Sequence, residues 1–267
     1  MKEFNDIAIN ITGNLAHIEI QRPPNNFFDY LLIEQIADAY EELDEVSECR
    51  VIILSSQGKN FCAGANFGQD EDMLDKSVPY AKLYAQAVRL FKTRKPVIAV
   101  IQGAAIGGGL GLALSADFRI ACAEARFSAN FAKLGFHPGF GSSVTLPRVI
   151  GTQKAMDMLY TARRVGGQEA FEIGLADKLT TKENLIKVAE EFGSEIASSA
   201  PMAVESIRST IKGNLAEQVE EIVDWELSEQ VRLQKTEDFK AGIAASLTRE
   251  VPEFNSCLLY TSDAADE

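Results

Sequence analysis

Glycine is concentrated where it would matter for chemistry. One segment runs Gly58-Lys59-Asn60-Phe61-Cys62-Ala63-Gly64-Ala65-Asn66-Phe67, directly after the apolar run Val51–Leu54. A second runs Gln102-Gly103-Ala104-Ala105-Ile106-Gly107-Gly108-Gly109-Leu110-Gly111, after Val97–Ile101. Without a Cβ the backbone can approach a ligand closely and adopt positive φ. A glycine turn that opens a helix leaves N–H groups unpaired at the positive end of the dipole, where an anion or a developing oxyanion is stabilised. Two such turns, each presenting one N–H, would hold a carbonyl oxygen from two sides. Taken singly, either segment reads as close strand-to-helix packing. A phosphate loop needs Gly-Lys followed by Ser or Thr, which neither segment has. A dinucleotide fingerprint needs GxGxxG, and Gly107-Gly108-Gly109 has the wrong spacing and no acidic follower.

Side chains able to move protons are few. The chain has two histidines. His137 lies in Gly135-Phe136-His137-Pro138-Gly139, where an imidazole could shuttle a proton near neutral pH or merely order a Pro-Gly turn. His17 alternates with apolar residues on a strand and reads as structural. Cys62 has the chemistry of a nucleophile, but with no histidine near it in sequence it reads as a packed thiol. Tyr80 and Tyr84, spaced i, i+4, either reach a ligand or pack in the core. Asp70, Glu71, Asp72 and Asp75 read as a solvated face, and Glu226, beside Trp225, as surface. Two histidines and scattered cysteines make no zinc site, so no metal is expected.

Elements must position these groups. Alternating or apolar runs at Ile7–Ile11, Ala16–Ile20, Val51–Leu54, Val97–Ile101 and Phe118–Ala121 predict strands. Helical periodicity covers Tyr30 to Asp44 and Val78 to Phe91, with Pro79 at a tolerated first-turn position. This alternation predicts an α/β architecture. Beyond about residue 182 strand signals cease, and Glu183–Ser198, Ala203–Lys212, Leu215–Gln234 and Asp238–Thr248 predict an all-helical C-terminal part. The domain division expected is a core over residues 1–197, a helical segment over 198–256 and a tail over 257–267. That tail, Cys257-Leu-Leu-Tyr-Thr-Ser-Asp-Ala-Ala-Asp-Glu267, resembles a translated sequencing adapter rather than natural protein.

The 267 residues can bury a substantial core without disulfide or metal staples. Asp plus Glu number 39 against 26 Lys plus Arg, a formal charge of −13 that disfavours nucleic acids and anionic membranes as partners. Pro96 to Ala116 carries no charge and is long enough to span a bilayer, but its glycines make a buried strand, a turn and a helix the better reading. The N-terminus has no signal-peptide pattern, and four cysteines without CxxC spacing read as reduced thiols, so a cytoplasmic location is expected.

Taken together, the fragments resemble the crotonase (enoyl-CoA hydratase/isomerase) superfamily from about residue 7 to 254. They are Arg22-Pro23-Pro24-Asn25-Asn26, Phe61-Cys-Ala-Gly-Ala65, Lys95-Pro-Val-Ile-Ala99, Gly103 to Gly109, Ser115-Ala-Asp117, Ala125-Arg-Phe127, Leu134-Gly135, Leu146-Pro-Arg148, Gly151, Glu169-Ala170 and Gly174-Leu175. The resemblance implies a spiral of ββα units with a helical C-terminal trimerisation segment, and a homotrimer or a hexamer of paired trimers. It implies an acyl-CoA thioester as substrate, with coenzyme A arriving as part of it and no other cofactor. By motif position the oxyanion donors would be the N–H groups of Ala63 and Gly108, with His137 as the remaining proton carrier. Substrate contacts would come from Arg22, Pro24, Asn25, Ala65, Asn66, Phe67, Gly107, Gly111, Phe131 and Leu134. Arg22, Lys59 and Arg249 are the basic groups near the motifs that could meet the cofactor's phosphates.

Hydratases of that family use two glutamates around one water. Their positions here hold Gly111 and Phe131, and the aspartate of a dienoyl-CoA isomerase branch corresponds to Gly139. The expected function is therefore a family enzyme of acyl-CoA metabolism, a lyase or isomerase, that works through oxyanion stabilisation of an enolate. A decarboxylase or hydrolase of an acyl thioester is the first alternative, because the Ala129-Asn130-Phe131 run resembles a decarboxylase branch, although Lys76 and Lys82 match its lysine poorly. A non-catalytic acyl-CoA-binding protein is the second.

Overall fold

A computed structural model describes residues 2–66 and 77–255, with only the backbone of residues 77–79. Phe67, the acidic run Asp70 to Asp75, Lys76 and the adapter-like tail lie outside the described residues. The N-terminal hairpin pairs β1 (Ile7–Thr12) antiparallel with β2 (Leu15–Ile20), turning at Gly13 with φ 59°. From there the main sheet is parallel: β2 pairs with β3 (Val51–Ser56), then β4 (Val97–Ile101), β6 (Phe118–Cys122) and β9 (Lys178–Thr180). All of Val51 to Ser55 and of Val97 to Ile101 is buried, as expected of strands covered on both faces.

A second, three-stranded sheet takes β5 (Ala104–Ile106), β7 (Arg126–Ser128) and β8 (Val165–Gly166). The chain repeats one step: a strand in the main sheet, a short strand or bridge in the second, then a helix. Thus β3 is followed by a bridge from Cys62 to Ala105 and by α2 (Ser77–Lys92), and β4 by β5 and α3 (Gly108–Ser115). The sequence reading found five of the six main-sheet strands to within two residues but not β9, nor β5, β7 or β8, whose two or three residues each are too short to show a period.

The uncharged Pro96 to Ala116 run is β4, β5 and α3; every residue of α3 is buried. Among the described residues no helix is long and apolar enough to cross a membrane. Helix α1 (Tyr30–Asp44) has the predicted bounds, with Asp29 Oδ1 accepting from Leu32 N at 2.9 Å as its N-cap. Helices α4 (Ser142–Ile150), α5 (Thr152–Thr161) and α6 (Gly167–Glu172) follow β7. The C-terminal part is α7 (Leu185–Ala197), α8 (Pro201–Lys212), α9 (Leu215–Leu233) and α10 (Glu237–Thr248). Of these, α9 returns to the core: Val219, Val223, Glu226 and Gln230, one helical face, are all buried.

Candidate active site

The two glycine segments lie side by side. Cys62 N donates to Ala104 O at 2.9 Å and Ile106 N to Cys62 O at 3.1 Å, so the first loop is laced to β5 as an extra strand. A Cβ on Gly109 would sit 2.1 Å from Cys62 O, and one on Gly64 2.8 Å from Ile106 O, so these backbones touch only because both positions are glycine.

An amide network holds this pair of loops to the Arg22–Phe28 segment. Buried Asn26, at φ 49°, donates from Nδ2 to Gln57 O and Asn60 O, each at 2.7 Å, and accepts from Arg22 N at 3.0 Å. Asn60 Oδ1 accepts from Ala104 N at 3.1 Å, and Gln102 Nε2 donates to Asn60 O at 3.1 Å. Sequence reasoning quoted Asn26 and Asn60 only as members of motifs. Two asparagines and a glutamine that bond to main chain are the visible signal of such a clamp.

Beside the loops is a cavity of about 250 Å³. Its wall is apolar and aromatic, including Phe28, Leu83, Phe131, Leu134, Phe136 and Phe140. Its polar lining consists of Asn66, Tyr80, Tyr84, Asn130, Gln230 and Ser246, together with the backbone of Ala63 to Ala65 and of Gly107 and Gly108. Among the described residues no charged side chain and no histidine lines it.

Of the residues expected at a site, Ala63, Ala65, Asn66, Gly107, Gly108, Phe131 and Leu134 border this cavity. Gly107, at φ 55°, is the N-cap of α3, which leaves Gly108 at the helix start. Six expectations need correction. The Ala63 N–H is already spent: it donates to Asn25 O at 3.0 Å and has no proton left for a ligand. Two residues on, the Ala65 N–H has no acceptor among the described residues, and neither has Gly108 N–H.

Arg22 is neutralised by Asp6 at 2.6 Å and Asp29 at 2.8 Å, which hold its guanidinium firmly charged and leave it tying β1 to α1's N-cap. His137 does not line the cavity; its Nδ1 lies 2.8 Å from Pro138 O, turned onto its own loop. Gly111 does not line it either; a Cβ there would meet Phe140 Cβ at 2.7 Å and its ring at 2.8 Å. Pro24 is exposed and Asn25 serves the clamp, its Oδ1 accepting from Asn60 Nδ2 at 2.9 Å.

Other candidates resolve by burial. Burial pushes the Cys62 thiol up to about 12, which suits packing rather than nucleophilic attack. His17 Nε2 lies 3.5 Å from the Glu190 carboxylate of α7 (Leu185–Ala197). Glu226, read as surface, has no exposure at all. Its carboxyl crosses from α9 to the start of α4, accepting from Gly141 N at 2.8 Å and Ser143 N at 3.1 Å. Burial raises its pKa to about 7 against the lowering effect of those bonds. Tyr80 and Tyr84 stack with centroids 6.2 Å apart, and both line the cavity.

A family model described as Enoyl-CoA hydratase/isomerase matches residues 10–256. The chain is 30% identical over 253 residues to a short-chain-enoyl-CoA hydratase of Clostridium acetobutylicum, covering 92% of this chain and 96% of that protein. It is 28% identical over 261 residues to a 1,2-epoxyphenylacetyl-CoA isomerase of Escherichia coli, covering 95% and 99%. A crystal structure of an enoyl-CoA hydratase/isomerase from Pseudoalteromonas atlantica superposes with a TM-score of 0.84 at 25% identity, covering 94% of this chain and all of that one. With the paired loops, the two-sheet spiral and the returning helix α9, these likenesses fix the lineage: the chain belongs to the enoyl-CoA hydratase/isomerase family and has the crotonase fold.

Proposed function

We propose that the protein is an enzyme that binds an acyl-CoA thioester and stabilises its enolate, with the thioester oxygen held between the N–H groups of Ala65 and Gly108. One observation carries this reading. Around the cavity, the amides of Ala63, Gly107, Leu110 and Gly111 all have acceptors, whereas those of Ala65 and Gly108 have none among the described residues. Unpaired amides beside a cavity walled by aromatic rings are what a developing oxyanion needs, and each contributes on the order of 3 kcal/mol in such a place. Gly108 also stands at the N-terminal end of α3, whose dipole adds to the effect.

In this reading both usual catalytic glutamates are missing, because by motif position Gly111 and Phe131 stand in their places; Gly111 is backed by Phe140 and Phe131 is part of the apolar wall. Proton transfer then falls to water or to a neutral side chain. A lyase or isomerase reaction remains the first reading. The uncharged lining favours, as a second, decarboxylation of an acyl thioester, in which departing CO₂ leaves its electron pair in the enolate and solvent supplies the proton. Exposed Lys59, and Arg249 two residues beyond the lining residue Leu247, are the cations left for the phosphates once Arg22 is paired. Coenzyme A arrives as part of the substrate. Exposed Met202, Ile207, Ile211 and Trp225 on α8 and α9 support a homotrimer or a dimer of trimers, and the cytoplasm is the proposed location.

The test is a panel of crotonyl-CoA, a 3-enoyl-CoA and a malonyl-type CoA, followed by thioester absorbance and by CO₂ release. Turnover of the first two supports hydratase or isomerase chemistry, and CO₂ from the third supports the second reading. Micromolar binding without any turnover would overturn the enzymatic reading in favour of a non-catalytic acyl-CoA binder.

A further inference from the structure

The position where the dienoyl-type aspartate would stand is Gly139, and the space beside it is filled by two neutral polar groups from other helices. A Cβ on Gly139 would lie 2.0 Å from the Tyr84 hydroxyl and 2.6 Å from Gln230 Nε2. Tyr84 comes from α2 and Gln230 from α9, and both line the cavity.

The hydrogen-bond direction of this pair is fixed by logic rather than by resemblance. Gln230 Nε2 lies 3.0 Å from His137 O, and a main-chain carbonyl can only accept, so the amide nitrogen must face it. That turns Gln230 Oε1 toward the Tyr84 hydroxyl at 2.8 Å, and Oε1 can only accept, so the phenol proton is committed to it. Burial, and then the nearby Glu226 carboxyl, raise the phenol's pKa well above its ordinary value, so the proton stays on the phenol. What remains is complementary: the Tyr84 oxygen keeps its lone pairs, and Gln230 Nε2 keeps its second N–H. One acceptor and one donor side by side match an alcohol, which both donates and accepts, better than a carbonyl, which only accepts.

We propose that Tyr84 and Gln230 are the specificity-determining pair of the acyl pocket, and that they recognise a hydroxyl group carried by the acyl chain. This rests on the acyl-CoA reading above and adds the chemistry of the acyl group. Without such a partner, the pair would leave polar valences facing a largely aromatic wall, a costly arrangement.

The experiment is calorimetric binding of butyryl-CoA and of its 2-, 3- and 4-hydroxy derivatives to the wild type and to Tyr84→Phe, which keeps the ring and its stack on Tyr80. One neutral hydrogen bond is worth about 2- to 10-fold in affinity. The wild type is expected to prefer at least one hydroxylated ligand by that factor. In Tyr84→Phe that preference should fall toward 1, with an unchanged far-UV circular-dichroism spectrum reporting an intact fold. Equal binding of all four ligands by the wild type, or a preference that survives in Tyr84→Phe, overturns the proposal. Failure of every ligand, butyryl-CoA included, overturns the acyl-CoA reading itself and is therefore a distinguishable result.

Discussion

Replacing Gly108 by alanine sets two opposing effects of known size against each other. Gly108 begins α3 and its φ lies outside the left-handed range, so its backbone conformation is open to any residue. On intrinsic propensity alone, alanine in a helix is better than glycine by roughly 0.5–1 kcal/mol. Against this, the added Cβ would stand 2.1 Å from Phe28 Cζ and 2.2 Å from Cε1. An ordinary carbon–carbon contact is about 3.5–4.0 Å, so the Phe28 ring or the start of α3 must move by more than 1 Å. Phe28 cannot yield freely: it is 9% exposed and packs edge-on against Phe140 with centroids 5.9 Å apart. Overpacking of this kind costs about 1–3 kcal/mol, so the clash should win and Gly108→Ala should be destabilised by about 0.5–2 kcal/mol. For a domain of this size that is a fall in Tm of a few degrees, at about 2–4 °C per kcal/mol. The companion variant Phe28→Leu should be destabilised by itself, yet should relieve the clash. Thermal denaturation of both single variants and the double variant should therefore give a favourable coupling of at least about 1 kcal/mol. Additive effects, or a Gly108→Ala variant more stable than wild type, would refute the placement of the Phe28 ring over the helix start. Turnover adds an independent reading, because moving the Gly108 amide by about 1 Å is enough to lose roughly 100-fold.

Three further outcomes follow from the same contacts. Glu226 titrates near 7 in the fold against 4.5 in a model peptide, so the folded state holds a proton the unfolded chain has released, and stability falls as pH rises through that window. The difference amounts to roughly 3 kcal/mol at most; a plot of Tm against pH for Glu226→Gln should be flatter than wild type between about pH 4.5 and 7, and parallel curves would contradict it. Asn26→Ala removes three hydrogen bonds and strands Arg22 N and the Gln57 carbonyl, whereas Asn60 O keeps Gln102 Nε2 and Ser56 Oγ. Urea denaturation should show a loss of about 2–4 kcal/mol, at 1–3 kcal/mol per stranded group, and a loss under 1 kcal/mol would show that the clamp is not needed. His137→Ala should change turnover by less than about 3-fold, since the imidazole faces Pro138 rather than the cavity; a drop near the 100-fold typical of a lost proton carrier would reinstate it.

Much of the architecture was legible without coordinates. The alternation of apolar runs with 3.6-period segments predicted the main-sheet strands other than β9, α1 with its bounds, and the helical C-terminal part. The two glycine segments were recognisable as close-approach backbone. Which amide of the first loop is free was not legible. Ala63 and Ala65 look alike as letters, and only the Asn25 carbonyl, arriving from a segment far away in sequence, separates them. The same holds for Arg22, whose charge was visible but whose partners Asp6 and Asp29 were not.

Residue types and local periodicity settle what depends on the chain's immediate neighbourhood: strand or helix, permitted φ, the absence of a carboxylate at 111 or 131. Satisfaction of a hydrogen-bonding group, burial of a carboxyl such as Glu226, and the pairing of Tyr84 with Gln230 depend on which distant atoms arrive alongside. Those contacts are made by α9 folding back over α2 and the start of α4. No window of sequence contains both partners, so only the tertiary structure could decide them.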